Sequence, residues 1–201
     1  MKDEIRAGIA QITPVWLDRD NTTAKIIEYL NQAAEQDCEL LVFGESILPG
    51  YPFWLSITDG ASFNSEFQKE IHAHYMKNAV QIERGDLGDI CQAVRSNRIA
   101  TYLGIVERAG NRGGHSLYCS LVFIDASGEI RSVHRKLQPT YEERLCWAPG
   151  DGNGLVVHHM EPFTLGGLNC WENWMPLPRA ALYGMGGNLH IAVWPGPIRN
   201  T

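Results

Sequence analysis

The residue with the clearest capacity for chemistry is Cys170, which stands between a predicted strand at Phe163–Asn169 and a predicted helix at 176–183. Backbone N–H groups and the dipole at a helix N-terminus favour a thiolate, and they stabilise an anion that forms on a bound substrate. Without such a context a cysteine is more often a small buried hydrophobic residue. The turn therefore predicts a thiol nucleophile whose pKa is lowered.

Two charged residues follow other apolar segments and can serve this thiol. Glu45 comes after the run Leu-Val-Phe-Gly, and Lys136 ends the second strand of a predicted hairpin. Sites in open α/β sheets gather at the C-terminal ends of strands, so we expect these residues to converge with Cys170. A buried carboxylate with a raised pKa can take the thiol proton, and an ammonium can stabilise developing negative charge. Taken alone, each residue also fits a solvated strand end or surface charge.

Two loops carry further candidates. The long polar segment 138–154 contains Glu143 within a charge run that is ordinarily solvated, but its place just after Lys136 favours a function. The loop after Glu45 is rich in turn residues and aromatics, and we predict that Tyr51 and Trp54 form part of a pocket wall. Trp171 and its neighbours around the cysteine suit an apolar substrate group.

Metal and cofactor sites are not predicted. His158 and His159, like His72 and His74, have no carboxylate or cysteine at metal-ligand spacing. The glycine-rich stretch 149–154 lacks the Lys-Ser/Thr of a phosphate loop and is interpreted as a turn. We therefore expect a site that works without metal or cofactor.

Composition restricts the compartment and the partners. The five cysteines are an odd number without a C-x-x-C pair, which predicts reduced thiols in a cytoplasmic protein. A net charge of −6 offers no basic surface, so neither nucleic acid nor an anionic membrane is an expected partner. The N-terminus does not have the pattern of a signal peptide, and no apolar stretch is long enough to span a bilayer.

The elements that must position these residues alternate between strands and helices. A content of 44% apolar residues over 201 positions suits a single domain spanning residues 1–201. Helices are predicted from a cap at Asp20 or Asn21 to residue 36, and at 65–80, 86–97 and 176–183. Strands are predicted at 5–12, Leu40–Phe43, 99–108, 116–124, 129–137, 155–160, Phe163–Asn169 and 188–194, with Gly128 closing the hairpin turn. This alternation predicts an α/β layered fold.

Three ordered blocks resemble the nitrilase superfamily, and within it the nitrilase branch. They are Leu-Val-Phe-Gly-Glu-Ser-Ile-Leu-Pro-Gly-Tyr-Pro around Glu45, His-Arg-Lys-Leu-Gln-Pro-Thr-Tyr-Glu-Glu-Arg around Lys136, and Gly-Leu-Asn-Cys-Trp-Glu-Asn-Trp-Met-Pro-Leu around Cys170. The resemblance implies Glu45 as general base, Lys136 as stabiliser of the tetrahedral intermediate, Cys170 as nucleophile, and Glu143 as an additional carboxylate. Trp171, Glu172 and Asn173 resemble the corresponding run of enzymes that act on nitriles, and we assign them to substrate binding.

The resemblance also implies a fold, a reaction and an assembly. The implied fold is a four-layer αββα sandwich, and the implied reaction converts an organic nitrile to a carboxylic acid and ammonia through a covalent Cys170 intermediate. Members of the family pair and often form spirals, so self-association is expected. A cyanide dihydratase or an aliphatic amidase of the same family remains an alternative.

The chain stops where members of the family continue for several more strands. We therefore expect a C-terminally truncated domain whose second sheet is incomplete. The catalytic residues would be intact, but an inactive assembly or binding chain is a further alternative.

Overall fold

The first β-sheet contains the strands that precede Glu45 and Lys136. The computed structural model of the chain describes residues 3–196. The sheet has the order β1-β2-β3-β4-β5, with parallel pairing from β1 to β3 and antiparallel pairing from β3 to β5. Its strands are β1 (Ala7–Ala10), β2 (Leu40–Phe43), β3 (Ala100–Arg108), β4 (Leu117–Ile124) and β5 (Ile130–Arg135).

The second sheet is smaller and carries the cysteine. Among the described residues it has three strands in the order β6-β7-β8, where β7 pairs antiparallel with β6 and parallel with β8. These strands are β6 (His158–Met160), β7 (Phe163–Asn169) and β8 (Leu189–Val193). The prediction of a strand at 155–160 was too long, because only its last three residues pair with β7.

Helices occupy most of the predicted places. The α-helices are α1 (Arg19–Glu35), α2 (Trp54–Ile57), α3 (Glu66–Asn78), α4 (Gly88–Asn97) and α5 (Pro176–Gly184), and short 3₁₀ helices lie at Ile82–Arg84, Gly110–Arg112, Tyr141–Leu145 and Cys170–Trp174. The predicted cap of α1 was wrong by two residues, because Asp18 accepts the N–H of Asn21 at 3.0 Å. Within residues 3–196 none of the helices combines the length and apolar character needed to span a bilayer.

The alternation of side chains along β2 explains how the layers stack. Leu41 and Phe43 pack with α1 and α4 in one apolar cluster. Leu40 and Val42 point to the opposite face and pack with residues of the second sheet. On the outer side of that sheet, Leu182 of α5 packs over Gly166 of β7. The four layers are therefore α1 with α4, the first sheet, the second sheet, and α5. The predicted αββα sandwich is confirmed, with a three-stranded second sheet.

The ends of four strands meet at one place between the sheets. Glu45 follows β2, Lys136 follows β5, and Cys170 follows β7. The backbone N–H of Glu45 also donates to the carbonyl oxygen of Trp194, just after β8, at 3.2 Å. The two sheets are therefore in contact close to Glu45, Lys136 and Cys170, the residues that the sequence predicts to be catalytic.

Gly104 allows the chain carrying Glu45 to cross β3 closely. A Cβ at this position would lie 2.2 Å from the Gly44 carbonyl oxygen and 2.8 Å from the Glu45 Cα. We expect Gly104→Ala to lower the free energy of unfolding by ~1–3 kcal/mol through overpacking. Displacement of the Glu45 carboxylate should also lower, by about 100-fold, the rate of the nitrile hydrolysis that the family resemblance implies.

Urea unfolding and steady-state kinetics measure both effects. Gly88→Ala is the matched control, because a Cβ at Gly88 meets no heavy atom within 4 Å. Equal stability and activity of Gly104→Ala and Gly88→Ala would show that the close crossing does not position Glu45.

Candidate active site

Lys136 lies at the centre of a buried charged cluster. Its Nζ donates to Glu45 Oε1 at 2.7 Å and to the two Glu143 oxygens at 2.8 and 3.1 Å. The side chains of Lys136 and Glu45 are inaccessible to solvent, and that of Glu143 is nearly so. Three of the four residues predicted to be catalytic are thus in direct contact, and two carboxylates share one ammonium.

Glu45 has one engaged and one free carboxylate oxygen. Its Oε1 accepts from Lys136 and from the Cys119 thiol, whose Sγ lies 3.3 Å away. Its Oε2 is buried and has no hydrogen-bond partner among the described residues. Burial raises the pKa of Glu45 to about 7, against the lowering effect of Lys136 and with a further raising effect of Glu143. A free carboxylate oxygen with this pKa suits a general base near neutral pH.

The contribution of Glu45 to the free energy of unfolding is more favourable in acid than at alkaline pH, because of the same pKa shift. Its pKa is about 7 in the folded state against 4.5 for a free glutamate. The stabilising contribution is therefore present below pH 4.5 and is lost as the pH rises through 7. The shift corresponds to about 3 kcal/mol of unfolding free energy.

Lys136 and its other partner, Glu143, are held in place from several sides. Burial alone would lower the pKa of Lys136, but Glu45, Cys119 and Glu143 outweigh it and hold that pKa well above its usual range. Glu143 Oε1 accepts the Tyr51 hydroxyl at 2.7 Å, and Oε2 accepts the Thr140 N–H at 2.6 Å. Lys136 therefore stays an ammonium, as a stabiliser of negative charge must.

Cys170 opens a 3₁₀ helix in a strained conformation. Its φ is +47°, a left-handed value that L-residues adopt at a cost of ~1–3 kcal/mol and that is common at functional sites. The predicted α-helix begins only at Pro176. Asn173 holds the turn, because its side-chain amide donates to the carbonyl oxygens of Cys170 at 2.8 Å and Leu168 at 3.2 Å.

The prediction of a lowered thiol pKa was wrong for the resting protein. Burial and the charge of Glu45 raise the pKa of Cys170 to about 12, although Lys136 and the Trp171 N–H act in the opposite direction. The N–H groups of the turn lower this pKa less than the burial of the thiol raises it. Cys170 is thus a protonated thiol that needs a neighbouring base, and Glu45 is close enough to influence its charge.

The predicted substrate-binding residues are not brought together. Tyr51 lines a cavity of about 670 Å³ beside Glu45, with Phe53 and Trp194. Trp54 does not line it, because its side chain is buried against the ring of Tyr75 at a centroid distance of 4.7 Å. Trp171 is half exposed and packs edge to face on Trp174 outside the cavity lining. Cys170 and Lys136 also lie outside the lining of this cavity, which reaches the site at Glu45.

Glu172 and Asn173 are buried and bonded to the protein itself. Both Glu172 oxygens accept hydrogen bonds from backbone and side-chain donors, and Asn173 accepts from His190 Nε2 at 2.7 Å. Their assignment to substrate binding is not supported by this geometry, because their polar atoms are engaged within the protein.

Sequence reasoning did not assign roles to Cys119 or Thr140. The Thr140-x-x-Glu143 spacing is a capping-box signal that could have predicted the orientation of Glu143. No such signal exists for Cys119, since every residue of β4 is buried and the run has no polar alternation.

Loss of the Cys119 thiol should shift the pH dependence of the reaction. Its hydrogen bond to Glu45 lowers the pKa of that carboxyl. For a reaction in which Glu45 serves as the base in its carboxylate form, we expect Cys119→Ala to move the acid limb of the pH–rate profile upward by roughly half a unit. Cys119→Ser, which keeps a donor, should restore the limb, and Cys91→Ala is the control remote from Glu45. An unchanged limb in Cys119→Ala would contradict the role of this contact.

Comparison with known proteins places this geometry in a family. The model of the carbon-nitrogen hydrolase family matches residues 6–200. The chain belongs to the carbon-nitrogen hydrolase family. Glu45, Lys136, Glu143 and Cys170 all lie within the matched residues of this carbon-nitrogen hydrolase.

Curated relatives of this carbon-nitrogen hydrolase are named as nitrilases. The present chain is 39% identical over 193 residues to "Nitrilase 2" of an unknown prokaryotic organism, and the aligned region covers 96% of this chain and 59% of that protein. It is 34% identical over 191 residues to an aliphatic nitrilase of Rhodococcus rhodochrous, covering 95% of this chain and 50% of that protein. The chain thus spans about half the length of the curated relatives it matches.

Solved structures share the fold of this carbon-nitrogen hydrolase. The crystal structure of an amidase from Nesterenkonia sp. superposes with a TM-score of 0.70 at 19% identity, covering 94% of this chain and 64% of that chain. At this identity the likeness supports the αββα architecture alone.

Proposed function

We propose that the protein is a nitrilase that hydrolyses an organic nitrile to the carboxylic acid and ammonia. The observation that carries the proposal is the free, buried Glu45 Oε2 next to the strand end that carries Cys170. Asn169 pairs with Val193, and the following residue, Trp194, accepts the Glu45 N–H. The Lys136 ammonium, fixed on the other oxygen of the same carboxylate, supplies positive charge where the substrate nitrogen becomes negative. The names of the curated relatives favour a nitrile as the substrate.

The first half of the reaction forms a covalent bond to sulfur. Glu45 Oε2 takes the proton of Cys170 while the sulfur adds to the nitrile carbon. One C≡N π-bond breaks, and the proton returns from Glu45 to the nitrogen to give a thioimidate. Dividing the addition in this way replaces one difficult step by easier ones.

The second half uses water twice. Glu45 takes a proton from a water that adds to the thioimidate carbon, and the nitrogen receives that proton as the tetrahedral intermediate forms. Glu45 then takes the proton of the hydroxyl group of this intermediate and passes it to the nitrogen. The C–N bond breaks, ammonia leaves, and the oxygen becomes the carbonyl of a thioester on Cys170. A second water, deprotonated by Glu45, releases the carboxylic acid and restores the thiol.

The environment of the site favours substrates with an apolar substituent. The cavity beside Glu45 is lined by Tyr51, Phe53 and Trp194, which are aromatic, and its volume of about 670 Å³ has room for a substituted nitrile. All five cysteines carry free thiols, which supports the proposed cytoplasmic location. Association between copies of the chain stays a prediction.

Ammonia release from a substrate panel tests the proposal. The panel contains benzonitrile, phenylacetonitrile, an aliphatic nitrile, cyanide and the amides that correspond to the three nitriles. We expect ammonia and carboxylic acid from at least one nitrile, faster than from its amide. Preferential release from the amides or from cyanide, or no release from a folded sample, would overturn the proposal.

A further inference from the structure

Glu172 is a buried carboxylate with four close donor contacts. Its Oε1 accepts the backbone N–H of Leu137 at 2.7 Å, and its Oε2 accepts the backbone N–H of Asn169 at 3.0 Å. His134 Nε2 lies 3.1 Å from both oxygens. The Glu172 side chain is inaccessible to solvent. The carboxylate is therefore fully used inside the protein and has no oxygen left for a substrate.

The two backbone groups that Glu172 binds stand next to two of the reacting side chains. Leu137 directly follows Lys136, and Asn169 directly precedes Cys170. Lys136 follows β5 of the first sheet and Cys170 follows β7 of the second, so one side chain connects the two sheets at the site. Each hydrogen bond therefore fixes the backbone of the residue next to Lys136 or Cys170, the two side chains proposed to act in the reaction.

Only a glutamate satisfies both backbone donors at this position. A glutamine offers one carbonyl oxygen and directs an NH₂ group at the second N–H, which leaves two donors facing each other. An aspartate keeps both oxygens but is shorter by one methylene group. A buried N–H left without an acceptor is unfavourable, so the backbone must move in either variant.

We infer that Glu172, oriented by His134, is a positioning residue that sets the distance between Lys136 and Cys170. The inference rests on the proposed function of these two residues. Glu172 acts through its neighbours and does not touch the substrate. The turn of Cys170 has an independent hold in Asn173, so loss of Glu172 changes the spacing of the groups without removing the turn itself.

Kinetics of Glu172→Gln and Glu172→Asp test the inference, with Glu28→Gln on the exposed face of α1 as the matched control. We expect kcat to fall about 10- to 100-fold in Glu172→Gln and less in Glu172→Asp, because reacting groups that are misplaced by about 1 Å react more slowly. KM should change by no more than about twofold, since the substrate is not contacted. Rates are expressed per folded molecule, so a variant that is merely less stable keeps the kcat of the parent chain and contradicts the inference.

Alkylation of Cys170 gives a readout that does not need turnover. With iodoacetamide a carbon–sulfur bond forms, iodide leaves, and the thiol proton passes to Glu45. Glu45 faces Lys136, Glu143, Cys119 and Cys170, so its proton uptake should give the alkylation rate a limb near pH 7. We expect Glu172→Gln to weaken or shift this limb. The alkylation rate at each pH is measured by mass spectrometry of the peptide that contains Cys170.

The two measurements separate the inference from the proposed function. If the parent chain hydrolyses nitriles and the limb and kcat of Glu172→Gln are unchanged, the positioning role is wrong and the nitrilase proposal stands. If the parent chain hydrolyses no nitrile but the limb changes in Glu172→Gln, the positioning role stands and the nitrilase proposal is wrong. If Glu172→Gln does not fold, the same comparison is made with Glu172→Asp.

Discussion

Cys170→Ala should abolish ammonia release from nitriles, with a loss of at least about 1,000-fold in kcat. We expect that the Cys119 thiol does not replace it, because Cys119 is buried within β4 and its Sγ already donates to Glu45 Oε1. Without the sulfur no covalent intermediate forms, and Glu45 and Lys136 retain only their weaker effects on water. Ammonia release by the parent chain and the variant, measured side by side, checks this result.

The control for this prediction is the fold. Alanine at this position keeps the Glu172 and Asn173 contacts to the backbone, so the urea midpoint should change little. Mass spectrometry during turnover should find an adduct on Cys170 of the parent chain and none on the variant. Substantial ammonia release by a folded Cys170→Ala protein would mean that another group attacks the nitrile.

Lys136→Met should have the second largest effect, because it removes both a stabiliser of the intermediate and the partner of two buried carboxylates. Loss of a preorganised charge at the reacting atoms lowers kcat by about 10²–10³-fold. Removing one partner of a buried ion pair destabilises a protein by ~3–5 kcal/mol. Glu45 and Glu143 are then left facing each other without a cation.

The stability loss in Lys136→Met should depend on pH in a definite direction. The pKa of Glu45 is already raised by burial and by Glu143, and it rises further without the opposing charge of Lys136. The variant should therefore lose more stability at pH 8, where Glu45 ionises, than at pH 5. Urea unfolding at both pH values measures this, and Lys69→Met, which breaks an exposed pair with Glu66, is the control. Equal losses in the two variants would contradict the central role of Lys136.

Much of the fold was predictable because local patterns determine it. The apolar run of β2 predicted a strand covered on both faces, and the structure places Leu41 against helices and Leu40 against the second sheet. The errors lie at element ends, where a single contact decides. Asp18 caps α1 through one hydrogen bond to Asn21, and residues 155–157 do not pair with β7.

The site was predictable only where its residues sit at strand ends within the three motif blocks. Glu45 and Lys136, which follow strands, are in contact as expected. Glu143, which the family resemblance implied, contacts Lys136 from a 3₁₀ helix. The contact of Cys119 with Glu45 and the bond of Glu172 to the Leu137 N–H depend on how distant segments dock, which no local pattern encodes. The bond of Glu172 to the Asn169 N–H belongs to a capping box, whose Asn-x-x-Glu spacing is visible in the sequence. The raised pKa of Cys170 has the same origin, because burial of the thiol follows from tertiary packing.

The long separations within the site bear on how the protein is made. Glu45 and Lys136 are 91 residues apart, and Tyr51 and Glu143 are 92 residues apart. Contacts of such length form late, because the entropy of closing the intervening chain must be overcome before they stabilise anything. During synthesis on the ribosome, β2 and β5 emerge before Cys170, and the base is in place only when β7 docks. The thiol of a nascent or half-folded chain therefore has no base beside it, and the base-assisted chemistry that we propose for Cys170 begins only once the two sheets have closed on each other.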